Sequence, residues 1–175
     1  LTDADFQPTI LRQGTVYGYS PRMRFDLVVN TFVKDALLKG KLSLHGGGWM
    51  WRPLVDVSDV ARAHIHCLEA PVEQVGGQIF NLMHDNYQIR ELAMLVAGSA
   101  QMRKFHVDIS EAPMPAIARD YKCRGTKIKE MTGFEPQVSV LESIETMLQW
   151  IEREGPIDFT HPRYYNIAWM TLLEE

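Results

Sequence analysis

Arginine is the residue type in this chain whose placement speaks to chemistry. Arg22, Arg24, Arg52 and Arg119 stand in or beside segments that read as loops, not on helix faces. A guanidinium carries a planar fork of donors that matches phosphate and carboxylate oxygens in pairs. Arginines at loop positions therefore suit an anion site, although solvation accounts equally well for any one exposed arginine. His45 ends a predicted strand beside a glycine turn, where it either meets a ligand or faces water.

Other chemistry is weaker. The run Gly46-Gly47-Gly48 has the composition of a phosphate loop, but Trp49-Met50-Trp51-Arg52-Pro53 follows it and opens no helix. Its N–H groups then have no helix end to extend, and a turn between two strands is the better reading. His64 and His66 are two residues apart on a predicted helix and point to different faces, so they form no i, i+4 metal pair. His64 falls on the apolar face and reads as a packed residue, and no metal site is expected. The two cysteines, Cys67 and Cys123, have no paired spacing and suit a reduced, cytoplasmic protein. Eighteen basic against 22 acidic residues give a formal charge of -4, which argues against a basic nucleic-acid binder. No apolar run approaches the roughly 18–20 residues of a membrane span. Neither nucleic acid nor membrane is expected as a partner.

The elements that must hold these residues alternate between strand and helix, which places the chain in the α/β class. Residues 9–17 read as one β-rich strand ending at Gly18, followed by a loop to Arg24. Phe25, Val28, Val29, Phe32, Val33, Ala36 and Leu37 repeat at helical spacing, with Gly40 as the cap. Residues 42–45 and 53–57 read as short strands. Asp59 is expected to cap the next helix, with Val60, Ala63, His64, Cys67 and Leu68 on one face and Pro71 at its end. Residues 78–82 read as a strand, and Ile89, Leu92, Ala93, Val96 and Ala97 as a helix stopped by Gly98. Gln88 is a poor cap for that helix, although Glu91 stands where a capping-box acid belongs. A strand over 104–109 and a short helix over 126–132 ending at Gly133 follow. The last clear helix carries the Ser139/Glu142 capping box and a stripe of Leu141, Ile144, Leu148 and Ile151, and it stops at Gly155-Pro156.

Four motifs in order then carry a resemblance. Leu11-Arg12-Gln13-Gly14-Thr15-Val16-Tyr17-Gly18 is similar to the strand end L-R-x-x-x-x-Y-G of the extended short-chain dehydrogenases. Residues 52–63, Arg-Pro-Leu-Val-Asp-Val-Ser-Asp-Val-Ala-Arg-Ala, resemble that family's arginine-to-helix signature. Phe80-Asn81-Leu82 resembles its Y-N-hydrophobic strand, and Phe134-Glu135-Pro136 before the capped helix, with Trp150 inside it, resembles its ending. The chain thus resembles the NAD-dependent nucleotide-sugar epimerases and dehydratases from about residue 9 to residue 150.

The resemblance implies the carboxy-terminal part of an extended, doubly wound Rossmann-type fold with a small mixed α/β substrate-binding subdomain. It assigns residues 1–24 to the end of the coenzyme-domain sheet and its loop and 25–158 to the substrate subdomain; the tail 159–175 receives no role from it and reads as a helix that packs on the domain or on a partner. It implies cofactor contacts at Gln13 and Gly14, and substrate contacts at Thr15, Asn30, Leu44, His45, Arg52 and Arg119. Arg52 and Arg119 would grip the diphosphate of a nucleotide sugar, with Leu44 and His45 beside the base and Asn30 near the base or ribose. Many relatives carry asparagine where Thr15 stands. Asp59 and Asn81 are assigned to structure.

The same family needs a Gly-rich fingerprint for the dinucleotide pyrophosphate and a Tyr-x-x-x-Lys pair. Neither is present. Tyr17, Tyr19, Tyr87, Tyr121, Tyr164 and Tyr165 are followed four residues on by Pro21, Met23, Glu91, Gly125, Ala168 and Trp169. The expectation is a substrate-binding portion that is inactive alone and whose coenzyme-binding half is absent. NAD or NADP would bind the full-length parent, itself a possible homodimer. Two further readings are a binding or scaffold protein derived from the same fold, and an atypical member acting on another small carbonyl substrate.

Overall fold

The computed structural model describes residues 6–114, 116, 118–155 and 157–174. Seven strands and seven helices follow one another among them: β1 (Ile10–Gln13), β2 (Thr15–Tyr17), α1 (Val28–Lys39), β3 (Lys41–His45), β4 (Trp51–Asp56), α2 (Val57–Glu69), α3 (Val72–Val75), β5 (Ile79–Leu82), β6 (Asp85–Gln88), α4 (Ile89–Met102), β7 (Asp108–Ala112), α5 (Thr126–Thr132), α6 (Val140–Glu154) and α7 (Asn166–Glu174). Pro156, read as part of the stop after α6, lies outside the described residues, as do Leu1 and Glu175.

The segment expected as one strand over 9–17 is two strands in different sheets. β1 runs parallel to β5, pairing Ile10 with Ile79, while β2 runs parallel to β4, pairing Thr15 with Leu54. The break falls at Gly14, whose N–H donates to Leu82 O at 2.9 Å. A Cβ there would stand 2.8 Å from Pro53 O, so only glycine lets the chain step between sheets this close to β4. β6 completes the second sheet antiparallel to β4, and β3 pairs with β7 in a third.

The larger core gathers Val29, Val33 and Ala36 of α1, Leu92 and Val96 of α4, and Ile144, Met147 and Leu148 of α6 around Leu42 and Leu44 of β3. A smaller core joins Val55, Val60, Ala63, Phe80, Ile128 and Phe134. Burying aliphatic side chains of this size stabilises by roughly 1.5–3 kcal/mol each before entropy is counted.

Several expectations need correction. α1 begins at Val28, not at Phe25, which packs as a turn residue. α4 runs through Gly98 to Met102, where nothing lies within 4 Å of an added Cβ, so the helix simply tolerates the glycine. Gln88 does cap it, through the full capping box with Glu91. The strand expected at 104–109 starts at Asp108, because Lys104 takes a left-handed φ of 67° in the turn after the helix. β6 was not expected at all. Leu141 is exposed, and the buried stripe of α6 runs through Val140, Ser143, Ile144, Met147, Leu148 and Ile151. On α2, His64 and Leu68 face outward. His64 Nδ1 lies 2.8 Å from Val60 O.

Asp59 is not the cap of α2. Asp56 is, accepting from Ser58 N at 2.7 Å. Asp59 is fully buried and its Oδ2 accepts the N–H groups of Gln137 and Val138 at 2.9 and 2.8 Å, while Oδ1 pairs with Arg62. In the tail, Phe159 and Tyr164 are buried against Phe25, with ring centroids 5.0 and 5.1 Å away. α7 itself has no buried residue. Among the described residues no helix is long and apolar enough to cross a membrane.

Candidate functional site

β3 alternates cleanly. Leu42 and Leu44 point into the core, which turns Ser43 and His45 to the other face. Thr31 and Asp35 stand one turn apart on α1 and share a depression with Ser43 and His45. Between them lies a cleft of about 570 Å³, closed by Met50, Arg52 and Ile89 and by Ala118 and Arg119 of a loop without regular structure. Three of the sequence-assigned residues, His45, Arg52 and Arg119, are thus brought to one place. Leu44 is not in its lining; it supports β3 from the core side.

The loop is sewn onto β4. Asp120 accepts the N–H of Trp51 at 2.8 Å, and Tyr121 N donates to Trp51 O at 3.4 Å. Lys122 sits 3.4 Å over the Trp51 ring, and Arg52 lies 5.7 Å from the centre of the Tyr121 ring. Arg52 Nη1 donates to Trp51 O at 2.7 Å and to the carbonyl of Arg119. The Nε and Nη2 donors of Arg52 have no protein acceptor among the described residues, and the same holds for the Arg119 guanidinium. A half-buried arginine fork with one edge committed and the other open can take a further anionic acceptor without being repositioned.

Each acidic residue of the cleft has a cation beside it. Asp26 accepts from both Nε and Nη2 of Arg24 at 2.9 and 3.0 Å. Burial alone would raise its carboxyl, but Arg24 and the N–H of Asn166 outweigh that and hold it below the usual range. Asp35 pairs through Oδ2 with Lys39 at 3.1 Å, while its buried Oδ1 has no hydrogen-bond partner among the described residues and lies 3.6 Å from Lys34 Nζ. Among the described residues the cleft therefore keeps two guanidiniums without a carboxylate partner, with His45 beside them, its Nδ1 2.8 Å from Pro113 O.

The other assigned residues lie elsewhere. Gln13 and Asn30 line a second depression of about 330 Å³ with Gly18, Arg22 and Arg24. Asn30 is buried and clasps Gly18, accepting its N–H at 3.0 Å and donating to its carbonyl at 3.3 Å. Tyr17 borders the same depression. Burial first, then the charge of Asp56, pushes its hydroxyl far above the tyrosine range, so it stays protonated as a donor to Val138 O at 3.4 Å. Thr15 is half-buried in β2. Asn81 Nδ2 donates to Arg124 O at 3.2 Å.

Sequence reading overlooked Asp26, Thr31, Asp35, Ser43, Met50 and Ile89 as lining residues. A signal existed for Ser43, which shares the two-residue period of His45, and for Thr31 and Asp35, which share a helix face. Nothing local marks Met50 or Ile89.

Residues 2–82 match the family model described as the NAD dependent epimerase/dehydratase family. The chain is 30% identical over 152 residues to the UDP-N-acetyl-alpha-D-glucosaminuronate decarboxylase of Bacillus cytotoxicus, covering 81% of this chain and 45% of that protein. It is 26% identical over 157 residues to the chloroplastic UDP-sulfoquinovose synthase of Spinacia oleracea, covering 78% of this chain and 32% of the relative. Its fold matches the UDP-glucose 4-epimerase of Thermotoga maritima, solved with UDP-glucose, at a TM-score of 0.71 and 24% identity, over 85% of this chain and 47% of that one. The chain spans less than half the length of each of these proteins.

Proposed function

Because this chain belongs to the NAD dependent epimerase/dehydratase family, we propose that its larger cleft binds the nucleoside diphosphate of a nucleotide sugar. The observation that carries this is electrostatic. Arg52 and Arg119 reach one cleft from two separate segments, and the carboxylates beside them are already paired. Two phosphates bring two negative charges, which two charge-assisted, fork-shaped contacts answer. Met50, Ile89 and Phe32 offer an apolar floor for a base, and Ser43, Thr31 and His45 offer polar groups at its edge. Both relatives named above act, by their names, on UDP sugars, which makes UDP the first ligand to try.

The sugar would then extend toward Thr15 and Gln13, on the strands β2 and β1. Binding the diphosphate firmly while leaving the sugar free to align is catalysis by positioning. The family is NAD dependent; a whole protein of this kind with NAD bound would epimerise, dehydrate or reduce the sugar by transient hydride transfer. In this chain Gln13 and Gly14 are the residues that would meet the coenzyme. Gly46–Gly48 leads into β4 and not into a helix, so it does not fit a coenzyme pyrophosphate. The chain on its own is read as a binder without catalysis.

Titration calorimetry of UDP into the chain tests the reading. Binding that weakens at least ~10-fold in Arg52→Ala, equivalent to about 1.4 kcal/mol, supports it. Affinity unaltered by that substitution contradicts the diphosphate assignment.

A further inference from the structure

The tail is bonded at many points to one short loop, and that loop forms the wall between the two clefts. Residues 18–26 contribute Asp26 to the larger cleft and Gly18, Ser20, Arg22 and Arg24 to the smaller one. From far along the chain, Tyr164 O accepts the N–H of Phe25 at 3.0 Å, and Arg163 Nη2 donates to Pro21 O at 3.2 Å. Asn166 joins the loop twice. Its Oδ1 accepts from Arg22 Nη2 at 3.0 Å, and its N–H donates to Asp26 Oδ2 at 3.4 Å. Arg22 also lies 6.0 Å from the Trp169 ring centre. Beneath these bonds Phe159 and Tyr164 hold Phe25 in the core. Tyr165 anchors the tail to α1 through Lys34 Nζ at 3.3 Å, and its own hydroxyl donates to Phe159 O at 2.8 Å.

We infer that residues 157–174 are a strap that fixes the wall loop, with Asn166 as its positioning residue, so that affinity in the larger cleft depends on a segment that does not line it. A loop of this length has no regular hydrogen bonding of its own and opens locally unless side chains and neighbours tie it down. The strap supplies those ties from one side only, while Asn30 clasps Gly18 from the other. Losing the Asn166 side chain frees Arg22 from its acceptor, while the backbone N–H of residue 166 still reaches Asp26. With Arg22 released from the tail, residues 18–26 loosen, and the Arg24–Asp26 pair at the mouth of the cleft loosens with them. The dependence on the cleft rests on the nucleotide-binding reading; the strapping of the loop does not.

The test compares the full chain with Asn166→Ala and with Asn166→Asp, which keeps an acceptor for Arg22. Amide hydrogen exchange is followed at residues 18–26, with β3 and β7 as internal references, and UDP affinity is measured by calorimetry. For Asn166→Ala we expect exchange at 18–26 to rise ~5-fold, the factor that one net hydrogen bond of about 1 kcal/mol gives, with the references unchanged. UDP affinity falls by a similar factor, and Asn166→Asp restores both. Unchanged exchange at 18–26 overturns the strap. Faster exchange with unaltered UDP affinity overturns its coupling to the cleft. If UDP binds none of the three proteins, the nucleotide reading fails and the exchange data still decide whether the loop is strapped.

Discussion

Arg52 donates through Nη1 to the backbone carbonyl of Arg119, so one cation of the cleft holds the loop that carries the other. The two arginines are therefore not independent contacts. A ligand that meets the open edge of Arg52 meets a fork already fixed by β4, and Arg119 inherits its place from that fork.

This coupling predicts an asymmetry. Arg52→Ala removes a charge and also releases the Arg119 carbonyl, so it should weaken UDP binding more than Arg119→Ala does. The two losses should not add, because contacting residues in one network share their energy. A double-mutant cycle by calorimetry checks this. We expect an interaction energy of about 0.5–3 kcal/mol, and purely additive losses would show that the carbonyl bond orders nothing.

Asp59 predicts a stability effect with no bearing on the ligand. It is fully buried and satisfies Gln137 and Val138, the backbone just ahead of the α6 capping box. In Asp59→Ala both N–H groups lose their acceptor, and each unsatisfied buried group costs about 1–3 kcal/mol. Urea unfolding should show an unfolding free energy lowered by about 2–6 kcal/mol in total for the two groups, with UDP affinity kept at low denaturant.

Gly18 has φ 109°, and a Cβ there would collide with Asp56 Oδ2 and stand 2.9 Å from Ser143 Oγ. Gly18→Ala combines a left-handed strain of about 1–3 kcal/mol with displacement of Asp56 from its capping bond. Thermal unfolding should show a clear loss, larger than that of Gly98→Ala, where the helix accepts a methyl freely and gains by about 1 kcal/mol.

Acid should loosen the α4–α6 contact. Arg103 at the end of α4 bridges Glu145 and Glu152 of α6. For Glu145, burial raises the carboxyl, yet the Ser99 hydroxyl and Arg103 together hold it below its ordinary value of 4.5. A carboxyl depressed in the folded state stabilises fully above its unfolded value, and that contribution disappears as pH falls through the folded value. Stability measured by denaturation should therefore drop as pH falls below about 4.5, and Arg103→Ala should flatten that drop while lowering stability at neutral pH by roughly 0.2–1 kcal/mol.

Much of this architecture was legible because helical periodicity and capping residues are local. Gly40, Gly133 and the Ser139/Glu142 box mark helix ends where the structure has them. What escaped was set by distant partners. Asp59 looks like a helix cap until Gln137, 78 residues on, claims its carboxylate. β6 is the polar run Asp-Asn-Tyr-Gln and becomes a strand only because β4 offers it an edge. The break at Gly14 follows from Pro53 lying against it. In the cleft, arginine at loop positions was a usable signal for Arg52 and Arg119. That Leu44 turns inward and Ser43 outward depends on which face of β3 meets α1. Asn30 carries no sign in the sequence that its amide is spent on Gly18.

The central claim is that the cleft between α1 and β3 holds a nucleoside diphosphate. Amide chemical shifts of the chain titrated with UDP test it most directly, because a rival depression of about 410 Å³ lies elsewhere, lined by His84, Cys123, Arg124 and Lys129. Saturable shifts are expected at Ser43, His45, Arg52 and Arg119, and none at His84 or Arg124. Shifts confined to His84, Cys123 and Arg124, or no saturable shift at Arg52 and Arg119, would contradict it.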